Sequence, residues 1–127
     1  AGHIAPKIAA TALAFDSDFN TPYNFDDEYS DPVIADAVYA ASLSPSFLNH
    51  QNYRFVINGT HIYLFNQLDN VVPDDDNLLG LGAAMLNFHM ILSSKYSGIG
   101  NWRFDTSDIK ADFKNPSDYT LVAALDI

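Results

Sequence analysis

Ser44-Pro45-Ser46-Phe47-Leu48-Asn49-His50-Gln51-Asn52-Tyr53-Arg54-Phe55-Val56-Ile57-Asn58-Gly59-Thr60-His61-Ile62-Tyr63-Leu64-Phe65 decides the fold, because it passes from a helix end through a polar turn into a hairpin. Pro45 disfavours helical geometry at Ser44, so the apolar helix before it must stop and the polar residues after it lie on a turn. Asn58-Gly59, between strand-like runs over 53–57 and 60–65, predicts a tight hairpin turn with two positive-φ residues. The second run carries His61, Tyr63 and Phe65 on one face and Thr60, Ile62 and Leu64 on the other, the pattern of a strand inside a sheet covered on both sides.

Upstream of this stretch, Asp31-Pro32 predicts a helix start, with Asp31 as N-cap and proline at the first helical position. Val33, Ile34, Ala37, Val38 and Ala41 then recur at three- and four-residue steps, an apolar face that ends near Ser42. Earlier still, Ile8, Ala9, Ala12, Leu13 and Phe15 have helix-like spacing, which predicts a short helix over 5–15. The acidic, aromatic segment up to Tyr29 reads as a strap, since Phe15, Phe19, Tyr23, Phe25 and Tyr29 all need burial.

Downstream, three acids at Asp74-Asp75-Asp76 complement the positive end of a helix dipole, and the helix is predicted over 78–96 with Gly98 as its stop. Leu79, Leu81, Met85, Leu86, Phe88, Met90, Ile91 and Leu92 surround much of its circumference, so it is expected to be central and buried. Gly80 and Gly82 would allow another backbone to approach. Trp102-Arg103-Phe104 reads as a short edge strand and 119–125 as a closing strand. Helices interleaved with a hairpin make an α+β class, with residues 1–127 as one domain.

Composition narrows the function. The chain has 127 residues, 48% hydrophobic and 17% charged, with sixteen acids against six Lys and Arg, for a formal net charge of -10. That field repels nucleic acid phosphates and anionic membrane surfaces, so neither is an expected partner. No apolar run is long enough to span a bilayer, the first residues lack a signal-peptide layout, and there is no cysteine; cytoplasm is the expected location. Ala1 follows either methionine removal or a cut from a longer polypeptide.

Most familiar chemistries fail on spacing. His3, His50, His61 and His89 form no paired-ligand motif, and the triple aspartate lacks the glycine and glutamate of a calcium loop, so no metal site is assigned. Ser46 and His50 lack a strand-nucleophile-helix elbow. Gly80-Leu81-Gly82 lies inside a helix with no lysine at Walker spacing. No catalytic side chain is assigned. Ser46, Asn49 and Gln51 are different: their donors and acceptors suit the edge of a planar heterocycle, or else they satisfy the turn's own backbone.

The segment Pro45-Ser46-Phe47-Leu48-Asn49-His50-Gln51-Asn52-Tyr53-Arg54-Phe55 resembles the Pro-Ser-x-x-Asn-x-Gln-Pro-Trp-Arg-Phe motif of the FMN-dependent nitroreductase family. An alanine-rich helix over 35–42 precedes it and a hairpin follows, as in that family. Residues 15–22, 80–88 and 98–102 extend the resemblance to the C-terminal half of the tandem, single-chain TM nitroreductase branch. The chain departs from the pattern at Asn52 (proline there), Tyr53 (tryptophan) and Phe47 (a small residue), and Asn87 and His89 stand where relatives tend to carry histidine and glutamate. The family's N-terminal Arg-Arg-Ser phosphate motif has no counterpart.

The resemblance implies a nitroreductase-like half: a central sheet with a hairpin, packed by a long buried helix and flanking helices. It implies FMN as cofactor, reduced by NAD(P)H, with a nitroaromatic or quinone-type small molecule as electron acceptor. Pro45, Ser46, Asn49 and Gln51 are the implied cofactor-binding residues, Pro45 by shaping the loop. It also implies that an N-terminal half or a partner subunit, as in a dimer, completes the site. The alternative expectation is a non-catalytic relative that has lost flavin and serves as a binding or assembly module.

Overall fold

The computed structural model describes residues 8–44, 51–68 and 74–127, without the side chains of 74–76. Four strands form one mixed sheet in the order β1-β2-β3-β4: β1 (Ala14–Asp16), β2 (Tyr53–Asn58), β3 (His61–Gln67) and β4 (Tyr119–Asp126). β1 runs parallel to β2, and the other pairs are antiparallel. Two helices, α1 (Pro32–Ser42) and α2 (Asp74–Lys95), complete an α+β architecture.

The hairpin stands where its sequence puts it, but its turn is Gly59-Thr60 rather than Asn58-Gly59, since Asn58 is the last strand residue and pairs with His61. Of those three residues only Gly59 has positive φ, at 61°, because β-branched Thr60 resists the left-handed region that glycine enters freely. β3 is interior, as its two apolar faces require. Ile62 and Leu64 join Tyr53, Phe55 and Ile57 in the main core with α1 and α2, while Phe65 packs with Val56 and Phe113 on the opposite side.

β4 shows why its alternation is weak in sequence. A register shift opposite Leu64 and Phe65 pairs Leu64 with Ala123 but Phe65 with Leu121. The extra residue reverses the pleat, so Ala123 and Leu125 face the helices while Tyr119 and Leu121 face the other core. Trp102-Arg103-Phe104 is no strand; Arg103 alone bridges to Ala124 in both directions at 2.9 Å.

α1 starts as predicted: Asp31 Oδ1 accepts from the Val33 N–H at 2.8 Å with Pro32 at the first helical position. Ile34, Ala37, Val38 and Ala41 are buried. α2 begins earlier than expected and is not buried all round. Leu81, Ala84, Met85, Phe88 and Leu92 face the core, whereas Leu79, Leu86 and Met90 are 72%, 61% and 58% exposed. The expected close approach is missing at Gly82, where an added Cβ would meet nothing within 4 Å.

The helix expected over 5–15 does not form in its described part. Ala10–Ala12 make a single 3-10 turn and Ala14–Asp16 become β1, since a short apolar run does not distinguish a helix from a buried strand and β2 offers an edge to pair with. The strap doubles back along that edge, with Asp16 N–H to Thr21 O at 2.8 Å and Tyr23 N–H to Ala14 O at 3.1 Å. Phe19 stacks on Phe15 and meets Phe65 edge-on, and Tyr23 meets Phe25. Tyr29, expected to be buried, is 89% exposed.

Candidate functional site

Pro45, Ser46 and Asn49, along with Phe47, lie outside the described residues. The residues that bracket them do not. An α-helix ends with carbonyls that have no partner within the helix, and α1 has no basic residue in its last turn to meet them. Gln51 and Tyr53 take over that task. The Gln51 Nε2 donates to Ser42 O at 3.1 Å and reaches the Tyr53 hydroxyl at 3.5 Å, and that hydroxyl donates to Ala41 O at 2.8 Å. Gln51 Oε1 accepts the Ile8 N–H at 2.6 Å. With 2% exposure, Gln51 is thus a buried brace between the chain's first described residue, α1 and β2.

Ser44, on the other side of the segment, is 1% exposed, and its Oγ accepts from Asn87 Nδ2 of α2 at 2.8 Å. Asn87 therefore ties α2 to the end of α1. His89 reaches the other way, its Nε2 2.9 Å from Gly100 O and its Nδ1 3.2 Å from Ser93 Oγ. Arg54 Nη1 donates to Gln51 O and Tyr53 O, both at 2.7 Å, and its guanidinium lies 5.7 Å from the Tyr119 ring centre. Burial pushes the Tyr53 phenol above its ordinary pKa, opposed by the Gln51 contact and the Arg54 charge.

Of the four sequence-predicted site residues, then, only Gln51 can be placed, and its amide is engaged with protein at both ends. Tyr53 and Asn87 were not singled out as positioning residues. A helix ending without a glycine or cation does signal that some donor such as Tyr53 must meet its carbonyls, whereas Asn87, which bonds the Ser44 hydroxyl, has no such signal.

Two cavities flank this arrangement at opposite ends of the sheet. At the open end of the hairpin, a cavity of about 320 Å³ is lined by Asn66, Leu68, Asn77, Leu78 and Thr120. Asn66 Oδ1 is buried with no hydrogen-bond partner, as is Asn52 Nδ2. At the turn end, a cavity of about 260 Å³ is lined by Asp16, Tyr23, Asp27, Asp31 and Gly59, among others. Each of its three carboxylates already accepts a local bond: Asp16 from Ser17 Oγ, Asp27 from Tyr29 N–H and Asp31 from Val33 N–H. Among the described residues no three His, Asp or Glu side chains are placed to hold a metal ion.

The phosphate of FMN does not fit the described surface. It needs converging cations, yet Arg54 is turned onto backbone carbonyls, Arg103 pairs with Asp108 at 3.0 Å and Lys114 lies 3.8 Å from Asp18, which leaves Lys95 and Lys110, on separate segments, as the remaining described cations. The sixteen acids of the chain oppose such a dianion further. Among the described residues no helix is long and apolar enough to cross a membrane. Compared with known protein families, curated proteins and solved structures, the chain matches none.

Proposed function

We propose that this chain is a nitroreductase-like half that supplies one wall of a two-part flavin site, completed by an N-terminal half or a partner subunit. When complete, the assembly is an NAD(P)H oxidoreductase acting on a nitroaromatic or quinone-type acceptor. One observation carries this reading. The two residues bracketing the Pro45-Ser46 to His50 segment, Ser44 and Gln51, are both almost fully buried and hydrogen-bonded to neighbouring elements. Binding segments are characteristically displayed from such fixed supports. In this reading Ser46 and Asn49 meet the ring, Pro45 shapes the segment, and Gln51 positions it rather than touching the cofactor. The phosphate is held by cations of the completing polypeptide.

A second reading, a binding or assembly module without flavin, is favoured by the outer face of α2. Leu79, Leu86 and Met90 are exposed along a helix that carries no charged residue from Asn77 to Ser94. Flavin absorbance of the native assembly separates the two. A yellow protein, or one that becomes yellow with added FMN, supports the flavin reading. A native assembly that is colourless and stays so with FMN defeats that reading and leaves the module.

A further inference from the structure

The tip of the hairpin carries a reactive peptide bond. Asn58-Gly59 is the chain's single Asn-Gly pair, and every other asparagine precedes a residue with a side chain. The fold sets this pair at an exposed strand end: Asn58 closes β2, Gly59 opens the turn with φ at 61°, and both are solvent-exposed. Around Gly59 there is open space, since an added Cβ would meet nothing within 4 Å. The hydrogen bonds at this corner are made by its neighbours, Ile127 N–H to Thr60 O at 2.9 Å and His61 Nδ1 with Asp126 Oδ1 at 2.7 Å. Among the described residues neither the Gly59 N–H nor the Asn58 carboxamide has a partner. A nitrogen nucleophile and the amide it can attack thus stand side by side, both unengaged.

We propose that Asn58-Gly59 is a site of intramolecular deamidation. The Gly59 nitrogen attacks the Asn58 side-chain carbonyl carbon, a new C–N bond forms, and the bond to the side-chain nitrogen breaks. Ammonia leaves with the Gly59 proton, so a five-membered succinimide remains. Solvent water then opens that ring at either carbonyl, which gives aspartate or isoaspartate at position 58 with no oxidant or reductant. Attack needs the side-chain carbon and the next nitrogen on the same side of the Cα–C bond, which extended backbone does not provide. The reaction therefore draws on molecules whose hairpin tip has opened, and a strand-end residue opens without disturbing the core. Gly59, free of a Cβ, then meets the least steric resistance.

The product changes the corner in two ways. It adds a carboxylate in the cross-strand row Asn58-His61-Asp126, one residue from the Gly59 that lines the acidic cavity with Asp16, Asp27 and Asp31, in a chain of net charge -10. Isoaspartate also lengthens the backbone by one carbon, which breaks the pairing of position 58 with His61. The inference does not depend on flavin or on assembly, because it rests on the hairpin tip alone.

The test incubates the purified chain in neutral buffer and follows it by peptide mass mapping, with an isoaspartate-specific methyltransferase to reveal the lengthened backbone. The amide-to-acid mass gain is expected first in the peptide that holds Asn58, about tenfold faster than at any other asparagine, a barrier difference of roughly 1.4 kcal/mol. Tm should fall by a few degrees as the product accumulates. Asn58→Gln would need a six-membered ring, so it should lose both the mass gain and the drift in Tm. Asn58→Asp supplies the charge without the extra carbon and should lower Tm less than the isoaspartate product does. The mapping uses the wild-type chain and so holds whether or not a variant folds. No mass gain at position 58, or an earlier gain at another asparagine, overturns the proposal. Either result leaves the flavin absorbance test unaffected.

Discussion

The two ends of the sheet solve the same problem with different chemistry. At the turn end, where Gly59 joins β2 to β3, the polar groups are carboxylates: Asp16, Asp27 and Asp31 around a cavity also lined by Tyr23 and Tyr29. At the open end they are amides and hydroxyls: Gln51, Asn52, Asn66 and Asn77, with Ser44 and Thr120. α1 spans the two. Its N-terminus takes Asp31 as cap, and its C-terminal carbonyls take Gln51 and Tyr53. The choice follows the helix dipole, since an anion suits the N-terminus and a donor suits the C-terminus. The consequence is functional. The described polar groups of the open end are mostly neutral, with Arg54 and Asp118 as charged exceptions, whereas the carboxylates that line the turn-end cavity repel any anion and none of its described lining residues is a cation.

Breaking what joins the ends should have the largest effect. Phe88 of α2 is fully buried and stacks on Phe55 of β2 with ring centres 4.6 Å apart, beside Trp102. Trp102 in turn donates its indole N–H to Met85 O at 3.0 Å. Phe88→Ala should cost about 3–5 kcal/mol, because the space it leaves is enclosed by sheet and helix and cannot collapse. Urea denaturation measures it. A loss under about 1 kcal/mol would mean that α2 is not seated on the sheet.

The open end should be the next most sensitive. Gln51→Leu keeps volume and apolar contact but strands the Ile8 N–H and the Ser42 carbonyl, both of which now have a partner. The expected loss is about 1–3 kcal/mol. Amide exchange should accelerate at Ile8 and across the last turn of α1, with the turn end unchanged. If exchange instead rises equally at both ends, the two are one cooperative unit and not separable.

Legibility from sequence divides along the same line. The turn end was readable because its signals are local: Asp31-Pro32 states a helix start within two residues, and the hairpin needs only the alternation on either side of Gly59. Even there the turn lies one residue later, because Gly59 followed by Thr60 suits a two-residue turn that asks positive φ only of its first residue. The open end was readable only as a polar segment. Its contacts run from Gln51 to Ile8, from Tyr53 to Ala41 and from Asn87 to Ser44, and separations of that size leave no periodic trace. α1 and β3 had clear patterns that packing then honoured. β1 did not: its three residues look helical until β2 supplies an edge. The outer face of α2 was misread for a related reason. An apolar residue predicts burial in some partner, and Leu79, Leu86 and Met90 find none among the described residues.

The acidic end can be separated into capping and charge. Asp31 accepts from the Val33 N–H and also from the Tyr96 hydroxyl, tying the start of α1 to the end of α2. Asp31→Ala should cost about 1 kcal/mol, the usual value of a lost N-cap. Asp31→Ser restores a capping oxygen but is too short to reach Tyr96, so most of that loss should return. A thermal melt of the pair distinguishes the roles: equal loss in both variants would assign the stabilisation to Tyr96 and not to the cap.

The smallest effects should appear in alkaline solution, where the two ends raise tyrosine pKa values for different reasons. At the acidic end, the hydrogen bond to Asp31 is the main cause that raises Tyr96, and burial is the main cause for Tyr23, helped by the charges of Asp31 and Asp16. At the open end burial raises Tyr53, while Gln51 and Arg54 pull it down. A phenol whose folded pKa lies above its unfolded value of about 10 contributes stability that is complete below that pH. The contribution is lost as pH rises through the folded value, because the unfolded chain releases its protons first. Stability should therefore decline above about pH 10, with no change from these groups near neutrality. Site-resolved tyrosine NMR then sharpens the comparison: Asp31→Ser should bring Tyr96 down toward its ordinary value and leave Tyr53 unmoved, whereas Gln51→Leu should raise Tyr53 and leave Tyr96 alone. A shift of both tyrosines by either variant would show the two ends to be electrostatically coupled through α1.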